Sequence, residues 1–230
     1  MDNFIFKGIS SEDFNIIVNS LPVISKPAMR VQETKIDGVD GSIIEELGYE
    51  SYDKKIKITI TENNIDEIIK WLNGEGELIL SNEPDKFYKA KVISQINFES
   101  LIKYAPVEVV FRVQPFKYEY QEEIINTPIE EITELVIENK GNYISKPIIE
   151  LRGTGTIEFI LNGYTLFRYT FPDEENIVII DSQKQDAYLG DVLKNRNMSG
   201  EFPIFEIGEN IITWEGAIEN IGISLKSRWL

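Results

Sequence analysis

Three acidic clusters carry the side chains best suited to chemistry: Glu45-Glu46, Glu130-Glu131 and Asp173-Glu174-Glu175. Two carboxylates can divide the acid and the nucleophile or base roles of glycoside hydrolysis. That division needs one carboxyl withdrawn from water so that its pKa rises. All three clusters read as solvated surface. The chain has neither His nor Cys. Their absence removes the commonest general base, the thiolate nucleophile, any disulfide and the usual zinc ligands. Asp37 and Asp40 flank a glycine, but a calcium loop needs an oxygen ligand two positions after the first, and that position is Val39. No phosphate-cradling G-x-x-x-x-G-K-[ST] run occurs. Trp71, Trp214 and Trp229 could stack on a sugar; Trp71 closes a helical stripe and Trp214 ends an alternating strand, so both read as core. Asn197-Met198-Ser199 fits a glycosylation acceptor, and with no secretory leader it reads as chance. The residues alone predict a non-enzymatic binding or assembly module, with no catalytic residue, no cofactor and no metal.

Composition narrows the class further. A chain of 230 residues makes one large or two ordinary domains. Hydrophobic content of 42%, with 11% aromatic, is enough for packed cores, and no low-complexity run argues for disorder. The net charge is −16. Residues 1–121 carry 14 basic and 20 acidic side chains, a balance of −6, and residues 122–230 carry 9 and 19, a balance of −10. Two acidic halves argue against a nucleic-acid-binding face and against docking on an anionic membrane. The opening MDNFIFKG has no basic stretch followed by an apolar one, so it does not read as a leader. No apolar run approaches the roughly 18 residues of a membrane helix.

The elements that must position these residues are almost all strands. Lys54–Thr61 alternates cleanly, with Ile56, Ile58 and Ile60 toward a core and Lys55, Lys57 and Thr59 toward water. Ile65, Ile68, Ile69 and Leu72 are spaced as one helical stripe, with Asn64 as the N-cap and Gly74 at the stop. Ile96–Phe98 reads as a short strand. Val107–Val113 is a strand that Pro115 ends, and the stretch to Glu123 is a tether to a second set of strands; the alternative is a strand and loop inside one larger β-domain. In that second set Ile148–Leu151, Thr156–Leu161, Ile177–Ile180, Phe202–Phe205, Ile211–Trp214 and Ile221–Leu225 read as separate short strands. Asn162-Gly163 reads as a hairpin turn. This places a domain at 1–125, with one helix near 64–73, and a second at 126–230. Strands this short, at this spacing, point to a β-sandwich.

Taken in order, several runs resemble the distal tail proteins (Dit) of siphophages. In the first domain these are Phe4-Ile5-Phe6-Lys7-Gly8, Ser11-Glu12-Asp13-Phe14-Asn15-Ile16 and Ile36-Asp37-Gly38-Val39-Asp40-Gly41. Trp71-Leu72-Asn73-Gly74, Leu78-Ile79-Leu80-Ser81 and Val113-Gln114-Pro115-Phe116 follow. In the second they are Asn139-Lys140-Gly141-Asn142, Lys146-Pro147-Ile148-Ile149, Gly153-Thr154-Gly155-Thr156, Val178-Ile179-Ile180-Asp181, Met198-Ser199-Gly200-Glu201-Phe202-Pro203-Ile204-Phe205 and Gly208-Glu209-Asn210-Ile211-Ile212. The resemblance spans nearly the whole chain. It implies a mainly β protein: an N-terminal barrel- or sandwich-like ring domain with one helix, then a C-terminal galectin-like sandwich. It implies a structural hub of the virion tail tip, assembled in the host cytoplasm as a homohexameric ring at the end of the tail tube. The partners it implies are the tail tube protein and the tail-tip or tail-fibre proteins, tail-associated lysin or receptor-binding protein among them. DNA would pass through the ring without specific binding, and no membrane is involved. Tail-like bacteriocins use the same part. The alternative function is a lectin-like receptor-binding module for a bacterial cell-wall saccharide, although sugar-binding galectins use a His-containing pocket and this chain has no His.

One segment has a sequence basis for closing such a ring. Pro22 and Pro27 hold an extended connection. The alternating run Arg30–Ile36 and the Asp37–Gly41 turn then form a ribbon with open edges, which invite another chain. Arg30, Val31, Gln32, Thr34, Ile36, Asp37 and Asp40 are the candidate ring-interface residues; the alternative is a hairpin folded back on its own domain.

Overall fold

The computed structural model describes residues 2–61, 65–96, 105–122, 124–129 and 132–230. The fold is mainly β, as the sequence predicts, with a single α-helix among the described residues. The chain divides into two compact units, Met1–Tyr120 with the terminal Leu230, and Gln121–Trp229.

The first unit is built on β1 (Phe4–Phe6), β2 (Ile9–Ser10), β3 (Ile16–Ser20), β4 (Met29–Thr34), β5 (Ile43–Tyr49), β6 (Tyr52–Ile60), α1 (Ile65–Trp71), β7 (Glu75–Leu80), β8 (Glu83–Val92) and β9 (Val107–Glu119). One antiparallel sheet runs in the order β2-β1-β7-β8-β9-β6-β3, while β4 and β5 pair only with each other. Alternation decides which face is buried. Phe4, Phe6, Ile56, Ile58, Ile60, Leu78, Leu80, Val109, Phe111 and Val113 share one core. The helix lies on that core through Ile68, Trp71 and Leu72. Ile69, placed on the stripe by spacing, is exposed, because Trp71 takes the central position. The Trp71 indole stacks on Phe4 at 5.3 Å and meets Phe14 at a tilt at 4.9 Å, and its N–H donates to the Phe6 carbonyl at 2.8 Å. The predicted N-cap Asn64 lies outside the described residues, as do Phe98 and the end of the predicted strand Ile96–Phe98.

Two prolines lie inside strands, one of them, Pro115, expected to end one. Pro115 is within β9. Pairing of β9 with β6 ends at Tyr52↔Val113, and on the β8 side the register shifts between Tyr88 and Ala90, so the missing N–H falls at an irregularity. Pro84 is the second residue of β8, and the chain turns earlier, at Ser81-Asn82.

The second unit contains β10 (Ile124–Pro128), β11 (Glu134–Asn139), β12 (Ile148–Leu161), β13 (Tyr164–Thr170), β14 (Ile177–Asp181), β15 (Asp186–Leu189), β16 (Val192–Leu193), β17 (Met198–Gly200), β18 (Gly208–Ser224) and β19 (Arg228–Trp229). The pairs of short strands expected around Gly153 and around Gly216 are single long strands, β12 and β18. Phe202–Phe205 is not a strand and contributes only the isolated bridge Phe205↔Ser145. The hairpin at Asn162-Gly163 forms as expected, with positive φ at both residues.

β12 and β18 pair along most of their length and change partners midway. The first half of β12 carries β14, from Ile148↔Asp181 to Arg152↔Ile177, and the second half carries β13, from Thr156↔Thr170 to Leu161↔Tyr164. β18 likewise pairs with β11 in its first half and β10 in its second. Register shifts in the β12–β18 ladder mark the bend, at Arg152/Gly153 and Thr154/Glu158. Glycine is required there by close approach. A Cβ at Gly153 would stand 2.3 Å from the Ala217 carbonyl oxygen, and one at Gly216, whose φ is +100°, 2.5 Å from that of Thr156. The bend lets Ile149, Leu151, Ile157, Phe159, Phe167, Tyr169, Val178, Ile180, Ile212, Ile221 and Ile223 meet in one core.

Gly153→Ala is expected to destabilise the second unit by about 1–3 kcal/mol, because main chain must shift to admit the methyl. Gly222→Ala in the same strand pair, where a Cβ would meet nothing nearer than 3.4 Å, is expected to stay within about 1 kcal/mol of the parent. Denaturant unfolding of the two variants measures the difference; equal midpoints would remove the bend as the reason for glycine.

Candidate assembly interface

The ribbon β4–β5 is the feature most open to a partner. Its ladder runs Val31↔Glu46, Gln32↔Glu45, Glu33↔Ile44 and Thr34↔Ile43. All seven candidate interface residues lie on it: Arg30, Val31, Gln32 and Thr34 on β4, and Ile36, Asp37 and Asp40 in the connecting loop, every one exposed. Arg30 turns back on the ribbon, and its Nη2 donates to the Leu47 carbonyl at 2.8 Å, beside the register shift between Met29 and Val31. Pairing alone did not reveal how apolar the ribbon is. Val31, Ile36, Val39, Ile43, Ile44 and Leu47 are each between 46% and 63% exposed. A lone two-stranded ribbon has no core of its own.

The ribbon is tied to its unit through residues 21–28, which belong to no strand. Three of their carbonyls are met by side chains, and that of Ala28 accepts from the Glu50 N–H at 2.8 Å. Asn82 Nδ2 donates to Pro22 O at 3.2 Å, Lys54 Nζ to Val23 O at 2.9 Å, and the Tyr52 hydroxyl to Ser25 O at 3.4 Å. Pro27 is buried, and Tyr49 at the base of the ribbon meets Phe116 edge-on at 5.9 Å and has the Lys26 ammonium 5.5 Å from its own ring centre.

Lys54 is 1% exposed. Its ammonium stands 5.4 Å from the Tyr52 ring centre and 5.1 Å from that of Tyr88. Below it, Glu83 pairs with Lys117 at 2.8 Å and accepts from the Tyr88 hydroxyl at 2.5 Å, with both charged side chains under 10% exposed. Burial holds the Lys54 ammonium below the ordinary lysine range, a shift that Glu83 opposes and Lys117 reinforces. Burial, with the Glu83 charge adding, pushes the Tyr52 phenol up to about 12, and it raises Tyr88 in the same direction, helped by the hydrogen bond to Glu83. Sequence alternation puts Lys54 on the face of Ile56 and Ile58, and that parity was the signal for a buried lysine. Thr59, expected in water, is buried and donates to Asn19 Oδ1 at 2.9 Å.

The candidate chemical residues are not brought together. Glu45 and Glu46 alternate on β5, and both are exposed. Glu175 pairs with Lys194 at 2.5 Å. Glu130 and Glu131 lie outside the described residues. Trp71 is core, and Trp214 packs against the core of the second unit. Among the described residues no three acidic side chains are grouped to hold a metal ion, and no helix is long and apolar enough to cross a membrane.

Neither a family model nor a curated protein matches the sequence. Solved structures do match the fold, and those that match are phage hub and baseplate proteins. The Dit (gp 19.1) protein of phage SPP1, described as a paradigm of the hub adsorption apparatus in phages infecting Gram-positive hosts, superposes with a TM-score of 0.75. That match covers 100% of both chains at 12% identity. A chain of the phage P2 baseplate in its activated conformation with Ca matches at 0.52, with 9% identity and 100% of both chains covered. The Sr form of that baseplate matches at 0.50, with 9% identity over 96% of this chain and 98% of the other. The chain has the fold of the Dit hub proteins.

The cluster beneath residues 21–28 predicts an alkaline weakness. Tyr52 keeps its proton in the folded chain up to about pH 12, whereas the unfolded chain releases it near 10.0. The stability this contributes is complete below pH 10 and is lost as pH rises to 12. The lowered Lys54 acts oppositely, adding stability as pH rises toward its ordinary 10.5, so between 10.5 and 12 the tyrosines decide. Tyr52→Phe is expected to flatten the fall in thermal midpoint between pH 10.5 and 12; a slope unchanged from the parent would show that Tyr52 is not its source.

Proposed function

We propose that this protein is a structural hub at the tip of a phage or phage-like tail, performing no reaction itself. The observation that carries the reading is the end-to-end match to the SPP1 hub protein, which takes in both units. The functional step rests on fold alone, so the local features matter. A hub must bind copies of itself and other tail proteins. The first unit leaves a ribbon with six exposed apolar side chains without a core of its own.

In this reading six copies close a ring at the end of the tail tube, with the ribbon of one first unit reaching the next. Head-to-tail contacts of one kind generate a ring when the rotation closes. The second unit, 126–230 by sequence and from Gln121 by contacts, is the part presented to tail-tip or receptor-binding partners. We propose that it folds alone. A fragment starting at Gln121 keeps Glu122, which receives the Ser224 hydroxyl at 3.0 Å and the Lys226 ammonium at 2.7 Å. The lectin-like reading loses its main candidate, because Trp214 is packed against the core.

The test is mass in solution. The intact protein at tens of micromolar is expected to sediment as a hexamer. Replacing residues 33–44 with Asn-Gly joins the paired Gln32 and Glu45 by a two-residue turn. The shortened protein is expected to fold and to sediment as a monomer. A shortened protein that remains hexameric would relieve the ribbon of this role.

A further inference from the structure

Asn-Gly occurs twice in the chain, at Asn73-Gly74 and at Asn162-Gly163. The pair is chemically labile, because a glycine nitrogen, with no Cβ beside it, can reach the preceding side-chain amide. The fold treats the two sites differently. Asn162 is clamped. Its N–H donates to the Ile211 carbonyl at 2.8 Å, and its Oδ1 accepts from the Ile211 N–H at 2.8 Å. In the second half of β12, β18 lies on one side and β13 on the other. The Asn162 side chain is therefore tied to β18, while Gly163 leads the chain away into β13.

Asn73 lies exposed between α1 and β7, in neither element. Among the described residues no hydrogen bond holds its side chain. Its main-chain carbonyl accepts from the Lys7 ammonium. The fold places that ammonium. The Lys7 N–H donates to the Glu77 carbonyl at 3.0 Å, and the Lys7 stem crosses Gly76, where a Cβ would stand 2.5 Å from Lys7 Cγ. The contact matters because the Asn73 carbonyl is conjugated with the Gly74 nitrogen. When that nitrogen gives up its proton, the negative charge is shared with the carbonyl oxygen, and a cation is already in position there.

We propose that Asn73 is a site of spontaneous deamidation and that Lys7 promotes it. The Gly74 nitrogen loses its proton to hydroxide and attacks Asn73 Cγ. The bond from that nitrogen to Cγ forms, the Cγ–Nδ2 bond breaks, and Nδ2 takes a proton from water and leaves as ammonia. Water then opens the cyclic imide at either carbonyl, giving aspartate or isoaspartate. Nothing is oxidised or reduced, and water is the only reagent. The unheld Asn73 side chain can turn its Cγ to the nitrogen, a geometry that the clamp on Asn162 prevents. The product carries a new carboxylate beside the Lys7 ammonium. Where it is isoaspartate, the connection from α1 to β7 is also longer by a methylene.

The experiment is storage of the intact protein at mildly alkaline pH, with the conversion of each asparagine followed by peptide mass analysis. In the folded protein Asn73 is expected to convert about tenfold faster than Asn162, because cyclisation at Asn162 must first break the bond to Ile211. In denaturant the two are expected to convert at similar rates. Lys7→Met is expected to slow Asn73 about fivefold in the folded protein and to leave Asn162 unchanged. In denaturant the same substitution is expected to have no effect, since only the fold brings Lys7 to Asn73. Lys7→Arg, which keeps the charge, is expected to retain most of the rate. Added salt, which screens an exposed cation, gives a readout without substitution: it is expected to slow Asn73 and not Asn162 in the folded protein. A folded protein whose Asn73 is stable, or converts no faster than Asn162, would overturn the site. An Asn73 rate that neither Lys7→Met nor salt lowers would overturn the part given to Lys7.

Discussion

The buried Lys54 is the constraint from which the arrangement of the first unit follows. Residues 21–28 leave the sheet to reach the ribbon, and the carbonyls of Pro22, Val23 and Ser25 take side-chain donors in place of a ladder, that of Val23 in a part-buried setting. Side chains from β6 and from the β7–β8 turn take that role, and Lys54 is the deepest of them. Once its ammonium is buried, its charge must be met. Glu83 answers it, and Glu83 is itself held by Lys117 and Tyr88. Breaking a buried pair such as Glu83–Lys117 from one side costs about 3–5 kcal/mol, because the survivor stays buried and unpaired. The cluster is therefore poor material for stability and good material for position. It fixes where the ribbon starts, and the ribbon's own strands then need only carry the pattern of exposed groups outward.

The second unit solves a different problem. Among its described residues it has no α-helix to cover a sheet, so the sheet must cover itself. Two strands do this by running through a bend and changing partners, which brings the inward residues of both halves into one core. The bend works because Gly153 and Gly216 let the two main chains approach more closely than any side chain allows. The N–H of Gly153 donates to the Asn176 carbonyl at 3.0 Å, so the approach does not leave that donor unpaired.

The sequence made the strand character and the apolar faces legible because alternation is a local signal. Ile56, Ile58, Ile60, Val109, Phe111 and Val113 all fall where parity puts them. What it did not show was continuity. Glycine and proline are read as breaks because most strands exclude them, but whether Pro115 ends a strand depends on which neighbour needs its N–H, and that neighbour is distant in sequence. Gly153 and Gly216 misled in the same way. The ribbon was legible as a ribbon, and its candidate residues fall on it, but the depth of exposure of Ile43, Ile44 and Leu47 was not, since an apolar residue on a strand is ordinarily assigned to a core. Lys54 lay on the core side by parity, but parity does not show the distant Glu83 and Val23 carbonyl that make a buried ammonium tolerable.

The charge pattern of the ribbon also bears on how it can associate. An exposed two-stranded ribbon with apolar side chains risks pairing edge to edge with its own kind. Two such ribbons side by side would bring Glu33, Glu45 and Glu46 of one copy toward the same residues of the other, and like charges opposed across strands are unfavourable. With Asp37 and Asp40 at the tip, and only Arg30 and Lys35 in return, of which Arg30 is committed to the Leu47 carbonyl, the ribbon repels a copy of itself. A symmetric two-fold contact through the ribbon is thereby disfavoured, while a contact with a surface that lacks its carboxylates is not. The five acidic side chains of this element thus narrow what can cover it.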